Sequence, residues 1–351
     1  MLKVAFILPS LANKGPIIVV RDLCIEYILY GITCKVYYFD DIVEIDMPCE
    51  VEKISFWKNI NFEQFDIIHS HMYRPDAYVF IHKPLKKIKV KFVTTMHQHL
   101  SEQLPYDFSY LKSFIIIKSW LLFLTRFNLI VTLNEYHNKY YKKHFQGKTI
   151  VIFNGRNLNE NLDIEEVDKE KIFLLKSTYR IIGGIAYITK RKGYKQIIEA
   201  LQVLSNYAII IVGDGPELEN LKRLAKEFHV DKRCLWIGNR LEAYRYLKYF
   251  DCFVMCSYTE GFPLALIEAS AHKLPVICSN IPIFRCFFSP NEVGFFDLDN
   301  INSMILAIEN VYANRNIYSL NIYSYYKLNL TRNIMANNYM KSYIGISTTN
   351  K

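Results

Sequence analysis

The first residues with the types and spacing for chemistry lie between Cys252 and Pro275, CFVMCSYTEGFPLALIEASAHKLP. Cys252 to Ser257 are rich in β-formers and read as a buried strand. A short loop with Glu260, Gly261 and Phe262 follows. Pro263 then sits where the first turn of a helix tolerates it, and Leu264 to His272 continue that helix. A strand feeding a loop and a helix start is where open α/β sheets receive ligands, because free backbone N–H groups point there. Glu260 and Glu268, the latter about one and a half turns into the helix, bracket the unit. A loop carboxylate would repel a phosphate bound at the helix start and is better suited to accept hydrogen bonds from sugar hydroxyls beside one. The bland alternative makes Glu260 a solvated loop residue and Glu268 a surface helix residue. As a loop carboxylate, Glu260 is expected to lie outside the core on either view, and its replacement by Ala to cost little stability.

Such a unit needs a sheet around it. In the first half, Val4 to Leu8, Cys34 to Phe39, Phe65 to Ile68, Lys91 to Thr95, Leu129 to Leu133 and Thr149 to Phe153 read as short strands. Helices fall between most of them, including Pro16 to Tyr30 and Asp107 to Arg126, which implies a parallel doubly wound sheet. A polar, acidic stretch, Asn157 to Lys171, suits an interdomain connector. A second series follows, with strands at Tyr179 to Ile185, Ala208 to Val212, Cys234 to Ile237, Cys252 to Ser257 and Pro275 to Cys278. Helices are expected at Tyr194 to Ser205, Glu217 to Phe228, Glu242 to Phe250 and Leu264 to His272. Asn300 to Asn314 and Thr331 to Tyr343 add two more. The expected division is 1–156, a linker 157–172, 173–328, and a C-terminal helix in 329–351 that crosses back to the first domain.

With 351 residues, 51% hydrophobic and 22% charged, the chain is long enough for two full cores and is not disordered. Eight scattered cysteines without C-x-x-C or zinc spacing suit a reduced, cytosolic protein. No signal peptide is evident. The most apolar window, Phe114 to Val131, is interrupted by Lys118, Arg126 and Asn128 and reads as a core helix running into a strand. The net charge of +9 suits an anionic membrane, a phosphorylated substrate or nucleic acid. No nucleic-acid module accompanies the basic residues, which excludes the last. Lysines 83, 86, 87, 89 and 91, and Lys139, Lys142 and Lys143 beside Tyr140 and Tyr141, are either solvated faces or contacts to anionic lipid.

Other loops carry further candidates. Pro9 to Pro16 holds only Gly15 and no G-x-G-x-x-G, which disfavours a dinucleotide-dependent dehydrogenase. His69, His71, His97 and His99 stand just beyond strand ends in FDIIHSH and FVTTMHQH, without the spacing of metal ligands. Lys190, Arg191 and Lys192, before a helix opening near Gly193, could hold a diphosphate by charge and backbone N–H together. Gly213-Asp214-Gly215-Pro216 reads as a tight strand-to-helix turn.

In this order the segments resemble the retaining glycosyltransferases of family 4. Glu260-Gly261-Phe262-Pro263 with Glu268-Ala269 matches the E-x7-E motif, and Gly183 to Leu201, Gly213 to Pro216 and Leu235 to Arg240 (LWIGNR) match the segments before it. Asn154-Gly155 resembles the pair that ends the first domain. The match covers Gly183 to Cys278 strongly and the first half loosely. The resemblance implies an α/β GT-B fold, two Rossmann-like domains facing a central cleft. It implies a metal-independent, retaining transfer from a nucleoside diphosphate sugar, UDP-linked rather than GDP-linked, with no other cofactor. The acceptor is a glycan or lipid-linked oligosaccharide of a surface polysaccharide, and peripheral contact with the inner face of the membrane is expected. Glu260 would bind donor-sugar hydroxyls and Glu268 the ribose. Lys192, with Arg191 or Lys190, and the backbone of Gly261, Phe262, Pro263 and Leu264 would hold the diphosphate, approached also by Gly15 and Gly213. Gly238 and Arg240 would lie near the base, and His97 would face the donor sugar. The family commonly has Arg where this chain has Tyr187. That departure motivates one alternative, a non-catalytic nucleotide-sugar-binding partner of another transferase; a sugar-nucleotide epimerase of the same fold is another.

Overall fold

The computed structural model describes residues 2–159 and 161–348. They fall into two compact units, one running to Arg156 and resuming at Asn329, the other Asn157–Leu328. Of the expected spans, Met1, Glu160 and residues 349–351 lie outside the described residues.

The first unit begins with β1 (Lys3–Leu8), α1 (Gly15–Leu29), β2 (Thr33–Tyr38), β3 (Glu50–Lys53), β4 (Ile67–His71), α2 (Tyr73–His82) and β5 (Lys91–Met96). It continues with α3 (Leu100–Asp107), α4 (Tyr110–Leu124), β6 (Leu129–Thr132), α5 (Glu135–His144) and β7 (Thr149–Val151). The strands form one parallel sheet in the order β3-β2-β1-β4-β5-β6-β7. Strands β4, β5 and β6 are buried along their whole length, as strands covered on both faces must be. Asp76 ties the layers together. Fully buried, it accepts hydrogen bonds from Ser70 (2.6 Å), Thr94 (2.8 Å) and the Trp120 indole (2.7 Å), joining α2, β4, β5 and α4. Edge strand β3 has no apolar pattern to announce it. Lys35 pairs with Glu50 (2.5 Å) and Glu52 (2.9 Å) across from β2.

The helix expected over Asp107 to Arg126 is α4, Tyr110–Leu124; extended Phe108 and Ser109 separate it from α3, a helix the sequence did not lead us to expect. Helix α4 is not a core helix throughout. In α4 only Ser113, Trp120 and Leu124 are fully buried, while Tyr110, Leu111, Phe114, Ile115 and Leu122 are exposed.

The second unit runs α6 (Glu166–Lys176), β8 (Arg180–Ile185), α7 (Lys195–Ala200), β9 (Tyr207–Val212), α8 (Leu218–Glu227), β10 (Cys234–Gly238), β11 (Cys252–Met255) and α9 (Leu264–Ala271). It closes with β12 (Val276–Ser279), α10 (Pro282–Arg285), β13 (Val293–Phe296), α11 (Ile301–Ala313) and α12 (Arg315–Asn329). Its parallel sheet has the order β10-β9-β8-β11-β12-β13. The expected connector does not extend to residue 172. Helix α6 occupies its second half, with Asp168 buried and accepting from Arg240 (3.0 Å) and Tyr246 (2.5 Å). The helix expected at Glu242 to Phe250 is a 3-10 segment, Ala243–Tyr249. All eight cysteines are free, five of them buried.

The last helix, α13 (Arg332–Thr348), belongs to the first unit, where it packs on α1. Arg332 pairs with Glu26 of α1 at 2.7 Å. Asn154-Gly155 is a close approach, not a tight turn. A Cβ on Gly155 would stand 2.2 Å from the Thr331 carbonyl oxygen, and the Arg156 N–H donates to Leu330 O (3.0 Å). Gly155→Val is therefore expected to destabilise the protein by about 1–3 kcal/mol, as overpacking of a rigid backbone contact does. Urea denaturation checks this, and an unchanged midpoint would show that the two backbones part easily.

Candidate functional site

In an open parallel sheet the crevice forms where the strand order reverses, beyond the C-terminal ends of the strands. In the second unit that point lies between β8 and β11. The loop after β8 carries the 3-10 turn Lys190–Lys192 and Gly193, and the loop after β11 carries Cys256 to Pro263. They are sewn together. Tyr258 N–H donates to Arg191 O (2.9 Å), Arg191 Nη1 to Thr259 O (2.7 Å), and Gln196 Nε2 to Cys256 O (3.1 Å). Gly193 has φ +65°, and a Cβ there would meet Cys256 O at 2.2 Å, so only glycine allows the approach. The loop after β9 joins on the other side. Gly213, at φ +140°, donates to Gly238 O (2.8 Å) and passes so near Ala186 O that a Cβ would lie at 1.9 Å.

Glu260 is at the centre of this assembly, and it is not a solvated loop residue. It is 4% exposed. Its Oε1 accepts from Lys192 Nζ (2.6 Å) and Ser257 Oγ (2.6 Å), while Oε2 has only a long contact with Arg191 Nη1 (3.5 Å). Burial works to raise its pKa. The charges of Lys192 and Arg191, with the hydrogen bonds from Lys192 and Ser257, outweigh that, and the carboxyl is held below its ordinary value. The expectation that Glu260→Ala costs little stability is corrected accordingly, because the change would leave Lys192 facing a buried gap.

The other expected residues are placed as follows. Glu268 is buried on α9, at 5% exposure. Pro263 is the residue before α9, not part of its first turn, and Leu264 opens the helix. Phe262 is buried against Phe287, with ring centroids 4.2 Å apart. Helix α7 begins at Lys195 and has only six residues, so it lends the cations little help from helix-end N–H groups. Lys190 is exposed, as is Tyr187. Gly238 sits at a bulge in β10 with φ +82°, and Arg240 is engaged with Asp168. Ser257 was not a candidate, since the sequence places it at the end of a buried strand; β11 stops at Met255 and Ser257 lies in the loop.

In the first unit the order reverses between β1 and β4. Gly15 opens α1 after β1, and His71 and His97 stand at the ends of β4 and β5. His71 Nδ1 and His97 Nε2 are 2.8 Å apart, so one ring donates to the other, and burial keeps both neutral. Beside them His69 is held by Tyr343 (2.7 Å) and Thr95 (2.8 Å), and Thr95 in turn meets Tyr339 (2.9 Å). Neither tyrosine of α13 was a sequence candidate. His99 packs among the rings of Tyr136, His137 and Tyr140. Among the described residues no group of three or more His, Cys, Asp or Glu side chains forms a metal-ligand cluster.

The profile described as "Glycosyl transferases group 1" matches residues 166–326, and that described as "Glycosyltransferase Family 4" matches residues 52–160. An α-1,3-galactosyltransferase of Escherichia coli acting from UDP-Gal on α-D-GlcNAc-diphosphoundecaprenol is 30% identical over 273 residues, 74% of this chain and 69% of that protein. This chain belongs to the group 1 glycosyltransferases. The transferase is also 29% identical over 348 residues to the O-antigen biosynthesis glycosyltransferase WclY of E. coli, spanning 97% of this chain and 98% of WclY. Its GT-B fold is shared with HepE of Anabaena (TM-score 0.81, 15% identity, 98% and 100% of the two chains). Sucrose-phosphate synthase of Thermosynechococcus elongatus shares it too (TM-score 0.79, 16% identity, 100% of both chains). The transferase is thus an enzyme that transfers a sugar.

The buried groups of the first unit set a pH dependence. Desolvation lowers the pKa of His69 and of His97 to about 3, and lowers that of His71 well below the ordinary value. A histidine depressed in the fold stabilises above its unfolded value of about 6.5 and loses that contribution as pH falls towards its folded value. Asp76 acts oppositely, because desolvation raises its pKa to about 7. The three imidazoles outweigh the one carboxyl. Stability is expected to fall from about pH 6.5 downward by at least about 1.4 kcal/mol per pH unit, more steeply in Asp76→Asn. Thermal midpoints taken between pH 7 and 5 test this, and a flat profile would refute the neutral histidine cluster.

Proposed function

We propose that this transferase moves a hexose from a UDP-sugar, with retention of anomeric configuration and without a metal ion, to a lipid-linked oligosaccharide of a surface polysaccharide. The observation that carries the reading is the asymmetry of Glu260. Oε1 is committed to Lys192 and Ser257, whereas Oε2 has only a 3.5 Å partner and is placed to accept a sugar hydroxyl. Lys192 has three N–H donors, and its contact with Glu260 leaves the others for a diphosphate. Support for the donor comes from HepE, whose structure holds UDP and glucose, and for the acceptor from the diphosphoundecaprenol substrate of the galactosyltransferase relative. WclY, named for O-antigen biosynthesis, supports the polysaccharide role.

The chemistry asks for stabilisation of negative charge as the diphosphate leaves the anomeric carbon. Lys192 and Arg191 supply the cations, and the N-terminal turn of α9 supplies N–H groups without intrahelical partners. Arg191 takes the place of the Arg absent at Tyr187, and Lys190, further out, plays a smaller part. Glu268 would bind the ribose. His97, neutral and oriented by His71, offers its remaining ring nitrogen to the donor sugar. The acceptor hydroxyl attacks the face the leaving group vacates, and a leaving-group oxygen takes its proton.

Glu260→Gln and Lys192→Ala are each expected to lower kcat by about 100-fold or more. Lys192→Ala should also lower the thermal midpoint, because it strands a buried carboxylate. UDP at 100 times its Kd should add about 2.7 kcal/mol of stability to the wild type. Transfer assayed with UDP-sugars and a synthetic diphospholipid acceptor, with NMR of the product linkage and a chelator arm, tests the whole reading. An inverted linkage, or activity lost to chelator and restored by Mg²⁺, would overturn the corresponding part.

A further inference from the structure

The loops that lead into β5 and β6 enclose a cavity of about 350 Å³ at the N-terminal ends of these strands. His71 and His97 stand at the opposite edge of the sheet, so the cavity is no part of the candidate site. Five cations line it, Lys83, Lys86, Lys87, Lys91 and Arg126, and no Asp or Glu does. Among the described residues only Lys86 of the five has an ion-pair partner, Glu63 at 3.1 Å.

The basic run before β5 is therefore more than a solvated face. Lys91 is 6% exposed, yet among the described residues its ammonium has neither a hydrogen bond nor an ion pair. Lys83 is half-buried, with its Nζ 4.4 Å from the centre of the Phe92 ring and donating to Arg126 O. Desolvation, then repulsion by Arg126, Lys148 and Lys91, lowers its pKa to about 8. Arg126 cannot move away. Its Nη1 donates to Phe80 O (2.8 Å), and its Nη2 to Lys83 O (2.6 Å) and Pro84 O (3.1 Å). Like charges gathered out of water raise the free energy of the fold, and an anion between them reverses the sign.

The donors say which anion. Both terminal nitrogens of Arg126 are committed to carbonyl oxygens, so the planar fork that grips a carboxylate is taken. What remains are ammonium groups, compact point charges that suit the dense charge of phosphate. The volume is in the range of small-molecule sites and exceeds the needs of a single phosphate.

We propose that the cavity between the α2–β5 and α4–β6 loops is a binding site for a soluble small molecule carrying a diphosphate, held by Lys83 and Lys91 with Lys87 at the rim. It is separate from the site around Glu260 and does not rest on the proposed reaction.

The experiment is thermal unfolding and titration calorimetry of the full-length protein with inorganic pyrophosphate, against sodium chloride at the same ionic strength. UDP is kept in excess throughout, and Lys192→Ala is run beside the wild type to locate any response that comes from the second unit. Wild type should show a saturable rise in midpoint with pyrophosphate and several-fold less with chloride. Lys91→Met and Lys83→Gln should each weaken pyrophosphate by about tenfold or more, as loss of a charged hydrogen bond does. Without pyrophosphate at low salt, Lys91→Met should unfold no earlier than wild type, because it relieves repulsion. Lys192→Ala should keep the wild-type increment. The proposal is overturned if chloride matches pyrophosphate, if both cavity variants bind like wild type, or if the response vanishes in Lys192→Ala. It is equally overturned if phosphatidylglycerol vesicles raise the midpoint and pyrophosphate does not, which would assign these cations to lipid headgroups.

Discussion

A carboxylate removed from water stays ionised only where cations are built around it, and Glu260 sets that demand on the whole second unit. Lys192 has to arrive from the loop after β8, and this requires β8 and β11 to be neighbours although β9 and β10 lie between them in sequence. The loops must then approach to backbone contact, which Gly193 permits. Loss of any of these would leave a buried charge unpaired, at a cost of several kcal/mol. The same arrangement that holds the charge keeps one carboxylate oxygen nearly free of partners. On the proposed function, stability and chemistry depend on the same few atoms.

The first unit handles its polar groups the other way. His69, His71 and His97 are neutral and bonded to rings and hydroxyls, and no ion pair offsets their burial. Neutral imidazoles can donate through one nitrogen and accept through the other, and the direction of each bond fixes the next. The result is a set of fixed dipoles, in contrast to the ions around Glu260.

Much of this was legible in the sequence because parallel strands buried on both faces leave unbroken apolar runs. Strands β1, β8 and β9 were readable within a residue or two for that reason. Strand β3 was not, since its charged residues are explained by partners elsewhere in the fold, Lys35 for Glu50 and Glu52, Lys58 for Glu52 and Asp41 for Lys53. The break between α3 and α4 was hidden because Phe108 and Ser109 carry no breaker signal. Glu260, Lys192 and Glu268 were singled out as candidates by motif, but not the burial of Glu260, which depends on a loop more than sixty positions away in sequence. Ser257, Tyr339 and Tyr343 were missed for the same physical reason. A hydroxyl that orients another side chain is ordinary in type and is defined only by its partner.

Helix α13 also imposes an order in time. The strands that carry His69 and Thr95 leave the ribosome early, whereas Tyr339 and Tyr343, which hold them, are made only after the entire second unit. At usual rates of synthesis the gap is on the order of tens of seconds. Through that interval His69 and Thr95 of the nascent first unit have each other but lack their tyrosine partners, next to an uncovered face of α1. The final helix acts as a latch that shuts at the end of translation, and a ribosome stalled short of Tyr339 would hold a chain with a finished second unit and an unfinished first.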